Sequence, residues 1–180
     1  MQHIVLLRGI NLAKRNRISM PELRVALGAA GFRDARTHLQ SGNVVLSSDA
    51  PVERVAEDVR QVIRERFGFA ITVLVRSHAE LAEVVRRNPL GAIAANPRRY
   101  MVTFLSGELP PGFAEDLRAV AQQEPFAIIG REVYSWHPEG IGRTPLFERL
   151  ASKSREIAAT SRNWSTVTAL VAMSESANDR

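Results

Sequence analysis

The sequence contains no cysteine. Disulfides, thiol nucleophiles and thiolate metal sites are therefore excluded, and several enzyme classes go with them. No apolar stretch approaches the roughly 20 residues that a membrane helix requires. The apolar run in MQHIVLLRGIN is too short for a signal peptide and no small-residue cleavage site follows it. These absences predict a cytoplasmic protein with no membrane association. Lysine is nearly missing as well: only Lys14 and Lys153 are lysines among 24 basic residues, and the other 22 are arginines.

What is present suffices for a proper core, since 45% of the 180 residues are hydrophobic. A formal charge of +5 and a pI near 10.6 suit an anionic partner such as nucleic acid or a phosphorylated small molecule. Abundant arginine with abundant alanine reads nearly as well as a compositional bias of the source genome. Arginine position is then more informative than arginine number.

Along the chain, QHIVLLR reads as a strand buried on both faces. A polar loop, GINLAKRNRIS, leads to a helix capped by Ser19, with Pro21 in its first turn and Gly31 as its stop. ARTHLQ and VVLSS flank SGN as a hairpin in which Gly42 and Asn43 tolerate positive φ. A helix follows with Val52, Val55, Val59 and Ile63 on one stripe, closed by Gly68, and then the strand AITVLVR. The order over residues 1–76 is βαββαβ. Residues 77–98 read as a helical linker: a short helix capped by Ser77, then the Gly/Ala/Pro connector PLGAIAANP. Residues 99–180 give the same order again, with EIAATS as a weak last strand and a terminal helix over about 164–173 outside both units. The fold class expected is α+β, with two ferredoxin-like βαββαβ units, antiparallel sheets, and linker and C-terminal helices. Because the first strand of each unit lacks polar alternation, each open sheet face should be covered, either by the other half or by those extra helices.

In this topology the end of the first strand meets the start of the third and the hairpin turn. Arg8, Gly9 and Asn11 should lie near Gln40, Ser41 and Asn43. The same logic gathers GIGR (140–143), SRNW (161–164) and Arg98-Arg99 at one end of the second unit. Both clusters are rich in amide and guanidinium donors. In HPEGIGRTPL, glycines joining a strand to a helix could cradle a phosphate with Arg143 beside it. However, Pro145 stands where a dinucleotide fingerprint needs its third glycine and no Walker lysine follows, so a turn capped by Thr144 explains the segment too. In SRNWSTV, Asn163 can cap a helix and Trp164 can bury its ring, but Arg162 ahead of a helix N-terminus opposes the dipole unless a negative group lies between them. Arg8 ends a buried strand and needs a partner or a ligand. The basic loop Lys14-Arg15-Asn16-Arg17 reads as a nucleic-acid backbone contact or as a solvated surface loop.

Other constellations fail. His3, His38, His78 and His137 show no metal spacing, no G-x-S-x-G elbow is present, and no cofactor is implied. Paired acids such as Glu53/Glu57 and Glu80/Glu83 fall at helical spacing among basic residues and read as solvated faces. An RNA-recognition module needs aromatic residues on central strands, and NVVLSS has none.

LLRGIN (6–11), QSGNVV (40–45), REVYSWHPEGIGR (131–143) and RNWSTV (162–167), in this order, closely resemble the bacterial family called domain of unknown function 1697. The resemblance spans nearly the whole chain. It implies an α+β fold with ferredoxin-like units and implies no established activity, substrate or cofactor. The polar positions it carries over are Arg8, Asn11, Gln40, Ser41, Asn43, Arg143, Arg162, Asn163 and Trp164. Two departures stand out: the loop after GIN, usually rich in glycine and lysine, is LAKRNR here, and the usual GRSKL is GRTPL. The second loses a lysine that an anion could have used.

The leading expectation is a protein that binds an anionic ligand, nucleic acid or nucleotide, through Arg8, Asn11, Gln40, Arg143 and Arg162. The first alternative is an enzyme on a small phosphorylated or carboxylated substrate, with these arginines as electrostatic clamps and no nameable catalytic group. The second is a protein-interaction module whose arginines pair internally. The sequence does not specify an oligomeric state.

Overall fold

The computed structural model describes residues 1–11, 16–121, 124–142, 144–151 and 157–175. The chain divides into two compact units, residues 1–83 with the C-terminal segment from Thr168, and residues 84–167. No helix among the described residues is long and apolar enough to cross a membrane.

The first unit holds β1 (Gln2–Arg8), α1 (Met20–Ala29), β2 (Arg33–His38), β3 (Asn43–Ser47), α2 (Val52–Phe67) and β4 (Thr72–Ser77). Its antiparallel sheet has the order β2-β3-β1-β4, the ferredoxin-like arrangement that βαββαβ connectivity dictates. Alternation of side chains sends Val5 and Leu7 of β1, Val44 and Leu46 of β3, and Val73 and Val75 of β4 to one face. There they meet Leu23 and Leu27 of α1 and Val55, Val59 and Ile63 of α2. Each such aliphatic side chain contributes about 1.5–3 kcal/mol by leaving water. The opposite face is buried too, with Ile4, Leu6, Val45 and Leu74 joined by Gln2, Asn43 and Arg76. This double burial explains the unbroken apolar run of β1.

The second unit contains β5 (Tyr100–Leu105), α4 (Phe113–Ala121), β6 (Phe126–Ile129), β7 (Glu132–Trp136), α5 (Pro145–Ala151) and β8 (Ala159–Asn163). Its sheet order, β6-β7-β5-β8, repeats that of the first. Leu105, Val133 and Ala159 pack on Leu117, Ala121, Leu146 and Leu150 from α4 and α5. The division between units falls inside the two remaining helices, α3 (His78–Arg87) and α6 (Trp164–Glu175). Within the first unit the end of α6 accepts a bond at Met173 O from Arg36 and at Ser174 Oγ meets His78 Nδ1 at 2.7 Å. Within the second, Val84 O at the end of α3 accepts from the Tyr134 hydroxyl at 3.1 Å, and Trp164 of α6 stacks on Tyr100. The linker and terminal helices thus contact residues on the faces that α1, α2, α4 and α5 leave free.

Two details differ from the sequence reading. In the hairpin, Gly42 takes the left-handed conformation, φ 78°, as expected, but Asn43 already belongs to β3 and the second positive φ falls on Leu39, at 59°. At the other end of the chain β8 runs through Asn163, and α6 begins at the next residue. Arg162 and Asn163 therefore sit on a strand, where a loop was expected.

Gly42 is held in place by more than its φ. A Cβ there would lie 2.7 Å from Leu7 Cβ and 2.8 Å from Ile10 Cδ1. Gly42→Ala should cost at least about 2 kcal/mol, combining left-handed strain with overpacking, and a urea denaturation midpoint measures it. His3 offers a second check. Its ring is fully buried, beside the Ser48 and Ala50 backbone, with neither nitrogen in hydrogen-bonding geometry. Burial, aided by the nearby N-terminal ammonium and partly countered by the Ser48 and Ala50 backbone and by Glu80, lowers its pKa from 6.5. The unfolded chain then takes up a proton first, so stability should fall as pH drops below 6.5. Urea unfolding between pH 7 and 5.5 should show that decline in the natural protein and not in His3→Leu.

Candidate functional site

In the first unit the structure brings together the polar residues around the end of β1. Leu6 pairs with Asn43 across the ladder, and Leu7 N–H donates to Gly42 O at 2.8 Å. Asn11 donates from Nδ2 to Ile18 O at 3.1 Å and to Gln40 O at 2.8 Å, and its Oδ1 accepts from Ile18 N–H at 2.9 Å. Its amide is fully engaged in joining the loop after β1 to the hairpin. Asn43 is buried and donates to His38 O and Ser41 Oγ, each at 3.0 Å, so these two residues shape the turn. Arg8 and Gln40 are different. Arg8 is half-buried at the end of β1, its guanidinium makes no hydrogen bond or ion pair with the described residues, and the Gln40 side chain is exposed.

A cleft of about 600 Å³ opens at this end, lined by Asn11, Arg17, Ser19, Glu22 and Gln40 among others. Arg17 is exposed on it, and Ser19 caps α1 by accepting from Glu22 N–H at 3.5 Å. Glu22 pairs with Arg66 at 3.8 Å, which partly neutralises the one acid in the lining. Lys14 and Arg15 of the basic loop lie outside the described residues, as does Arg143.

In the second unit the SRNW residues are occupied within the chain. Arg162 is buried and donates to Thr160 Oγ1 and to Ser161 O, both at 2.8 Å. Burial alone pulls its pKa down to about 10, which still leaves it charged near neutrality. Asn163 Oδ1 caps α6 by accepting from Thr166 N–H at 2.9 Å. Trp164 stacks on Tyr100 with ring centroids 4.7 Å apart and 18° between planes. Arg99 donates to Pro138 O, which places Arg98-Arg99 beside the start of the PEGIG loop.

The first unit contains a counterpart that the sequence reading missed. Arg76 pairs with Ile4 as Arg162 pairs with Val102; each arginine is the penultimate residue of its strand and is followed by a cap. Ser77 caps α3 by accepting from Glu80 N–H at 3.2 Å, while Glu80 Oε2 accepts from Ser77 N–H at 2.8 Å. Like Arg162, Arg76 is buried, and it donates to Val75 O at 3.0 Å. Strand order, register and cap coincide where the letters VRSH and SRNW share only the arginine.

A Ser–His–Glu chain is also present that no motif spacing in the sequence signals. His137 Nδ1 lies 2.6 Å from Glu124 Oε1, and its Nε2 lies 2.9 Å from Ser135 Oγ. A carboxylate only accepts, so the neutral ring carries its proton on Nδ1 and accepts a hydrogen bond from the Ser135 hydroxyl at Nε2. Those are the bonds of a nucleophilic triad, but Ser135 is fully buried. The neighbouring cleft of about 420 Å³ is lined by Glu124, Arg118, Phe126 and Ile128, with neither Ser135 nor His137 on it. With its acid nearest solvent and its nucleophile sealed, the chain acts as a clip between the start of β6 and the end of β7.

LLRGIN and QSGNVV lie in the stretch, residues 1–134, that matches the family described as "Protein of unknown function (DUF1697)", while REVYSWHPEGIGR runs past its end. The chain belongs to the DUF1697 family. Arg162, Asn163 and Trp164 lie beyond the matched stretch of this DUF1697 protein. A conserved bacterial protein of Streptococcus pneumoniae has a similar solved structure, with a TM-score of 0.73 at 19% identity over 96% of this chain and 97% of that one. At that identity the likeness shows the fold. No curated protein matches the sequence.

In this DUF1697 protein buried arginines are paired internally, with glutamate and asparagine among the partners. Arg162→Leu should accordingly lower the unfolding free energy by about 2–4 kcal/mol, because it leaves buried acceptors without their donor. An arginine whose role was ligand contact alone would change the urea midpoint by no more than about 0.5 kcal/mol equivalent.

Proposed function

We propose that the protein binds an anionic ligand, a nucleotide or nucleic acid, in the first unit, at the cleft where the loop after β1 meets the β2–β3 turn. The observation that carries this reading is an asymmetry of charge. Residues 1–21 hold Arg8, Lys14, Arg15 and Arg17 and no aspartate or glutamate. A bias toward arginine explains many arginines; it does not explain missing acids. Within this segment Arg8 and Arg17 have no partner among the described residues, and Arg17 lies on the cleft with Gln40. A guanidinium in that state is a ready bidentate donor to a phosphate. Gln40 adds a neutral donor, and the α1 N-terminus adds favourable potential.

Arg162, Asn163 and Trp164 contribute to the architecture in this reading, and Arg8, Arg17 and Gln40 contribute to binding. The enzyme reading finds less support, since the nucleophile–base–acid chain among the described residues has a sealed serine.

Calorimetric titration with AMP and with inorganic phosphate at low salt tests the proposal. Arg17→Ala and Arg8→Ala should each weaken AMP binding about tenfold, the equivalent of one charge-assisted hydrogen bond. Absence of binding by the natural protein at about 20 mM salt, where electrostatic attraction is least screened, would overturn it.

A further inference from the structure

Each unit ends its sheet in a corresponding edge strand, β2 in the first and β6 in the second. The two edges are built differently. β2 carries Arg33, Asp34 and Arg36, and its pairing with β3 shifts register between Arg33 and Arg36, where Asp34 takes a left-handed φ of 52°. Charge and a bulge are the usual devices that keep a further strand from adding to a sheet edge. β6 has neither. It is Phe126-Ala127-Ile128-Ile129, half-buried and apolar throughout, in unbroken register with β7.

The outer side of β6 is unpaired among the described residues. Trp136 N–H donates to Pro125 O at 2.9 Å, which fixes the phase of the ladder. Residues 125, 127 and 129 turn their backbone polar groups toward β7, so the N–H and C=O groups of Phe126 and Ile128 point away from the sheet. Those groups have no hydrogen bond to the described residues. Pro125 is in the inward phase, so its missing N–H takes nothing from the outer edge. Beside the strand, the cleft of about 420 Å³ reaches Arg118 and Ala121 of α4 and leaves room for an added chain. Glu124 also lines it: Oε1 is engaged with His137, and Oε2 has no hydrogen-bond partner.

We infer that a second copy of the chain pairs here, β6 against β6 in antiparallel register about a two-fold axis at Ala127, joining two four-stranded sheets into one. This register sets Phe126 opposite the partner's Ile128 and Ile128 opposite the partner's Phe126, so that the outward N–H and C=O groups bond reciprocally. Aromatic and β-branched side chains make a favourable cross-strand pair, and both of these pack on the helix-side core with part of their surface left outside. Ala127 faces the partner's Ala127 in the closely spaced kind of pair, where a small side chain is no obstacle. The flanks favour self-pairing over a strand of another protein. Glu124 precedes β6 and Arg131 follows it, so antiparallel pairing about Ala127 brings Glu124 beside the partner's Arg131 at both ends. The unpartnered Glu124 oxygen then gains a charged donor. Two short strands make a small interface, so the dimer is a weak one, with an expected dissociation constant of about 10–100 µM. No residue is shared with the anion site of the first unit, and either reading can fail alone.

Sedimentation equilibrium of the full chain from about 5 µM to about 1 mM should show a monomer–dimer equilibrium. Ala127→Lys sets like charges against each other at the axis, where facing Cα atoms are about 4.5 Å apart, and should raise the dissociation constant at least tenfold. Arg131→Glu, which turns the flanking attraction into repulsion, should raise it about fivefold. Hydrogen exchange of the natural protein, read by NMR, needs no substitution: the Phe126 and Ile128 amides should exchange about fourfold more slowly at about 1 mM than at about 20 µM. A monomer at every concentration would overturn the inference and leave the edge to a strand of another protein. So would a dimer that both substitutions leave intact, or Phe126 and Ile128 amides whose exchange is independent of concentration.

Discussion

Burial of both faces of each four-stranded sheet is the constraint from which most of the structure follows. Helices α1 and α2, and α4 and α5, cover one face of their sheets, and the faces they leave are just as dry: Ile4, Leu6 and Val45 in one unit, Val102, Phe104 and Tyr134 in the other, are wholly inaccessible. A polar side chain on such a face must find its partners inside the protein, because an orphaned buried polar group costs about 1–3 kcal/mol. This is why Arg76 and Arg162 bond to neighbouring carbonyl and hydroxyl oxygens, and why the Tyr100 and Tyr134 hydroxyls reach Leu90 and Val84. The arginines retained there bond within the protein.

The same constraint gives the two units a common ending. In each, the fourth strand carries a buried arginine at its penultimate position, its last residue caps a helix, and the helix follows without a connecting loop. A strand that runs directly into a helix can set the helix direction only through its last few side chains. The cap, Ser77 or Asn163, satisfies the first-turn N–H groups, and the first helical side chain, His78 or Trp164, docks against Ser174 or Tyr100. The positive end of the helix beside a buried guanidinium is tolerable because oxygen acceptors of the strand face that charge. Arg162 therefore meets hydroxyl and carbonyl oxygens where the sequence called for a negative group, an anion or an internal carboxylate.

Element order, sheet order and the apolar stripes were legible because each is a local pattern with a fixed period. The meeting of Asn11 with Gln40 was legible as well, since antiparallel pairing of the first and third strands leaves few alternatives. Three features were not. The end of β8 was hidden because Ser161, Arg162 and Asn163 have no strand propensity; their place is set by pairing with Thr103, Val102 and Met101. The positive φ at Leu39 was hidden because leucine rarely adopts it. The Ser135–His137–Glu124 chain was hidden because Glu124 comes from another element, and only the packing of β6 against β7 brings it to the histidine. The resemblance to the family rested on motif letters, and those letters serve architecture at Asn11, Asn43, Arg162 and Asn163, which is why they pointed correctly to the fold and ambiguously to the site.

The buried faces also limit how the protein could meet a nucleic acid. NVVLSS in the first unit has no aromatic residue, but the second unit does place Tyr100 on β5 and Tyr134 on β7, where base-stacking sheets display their rings. Tyr100 is 1% exposed and Tyr134 not at all. Trp164 covers the first and the end of α3 binds the hydroxyl of the second. Recognition by stacking on this sheet would require removing those contacts, whereas backbone contact through exposed arginines requires no rearrangement. A nucleic-acid ligand of this fold would accordingly be read through its charge and strand geometry, with little discrimination among bases.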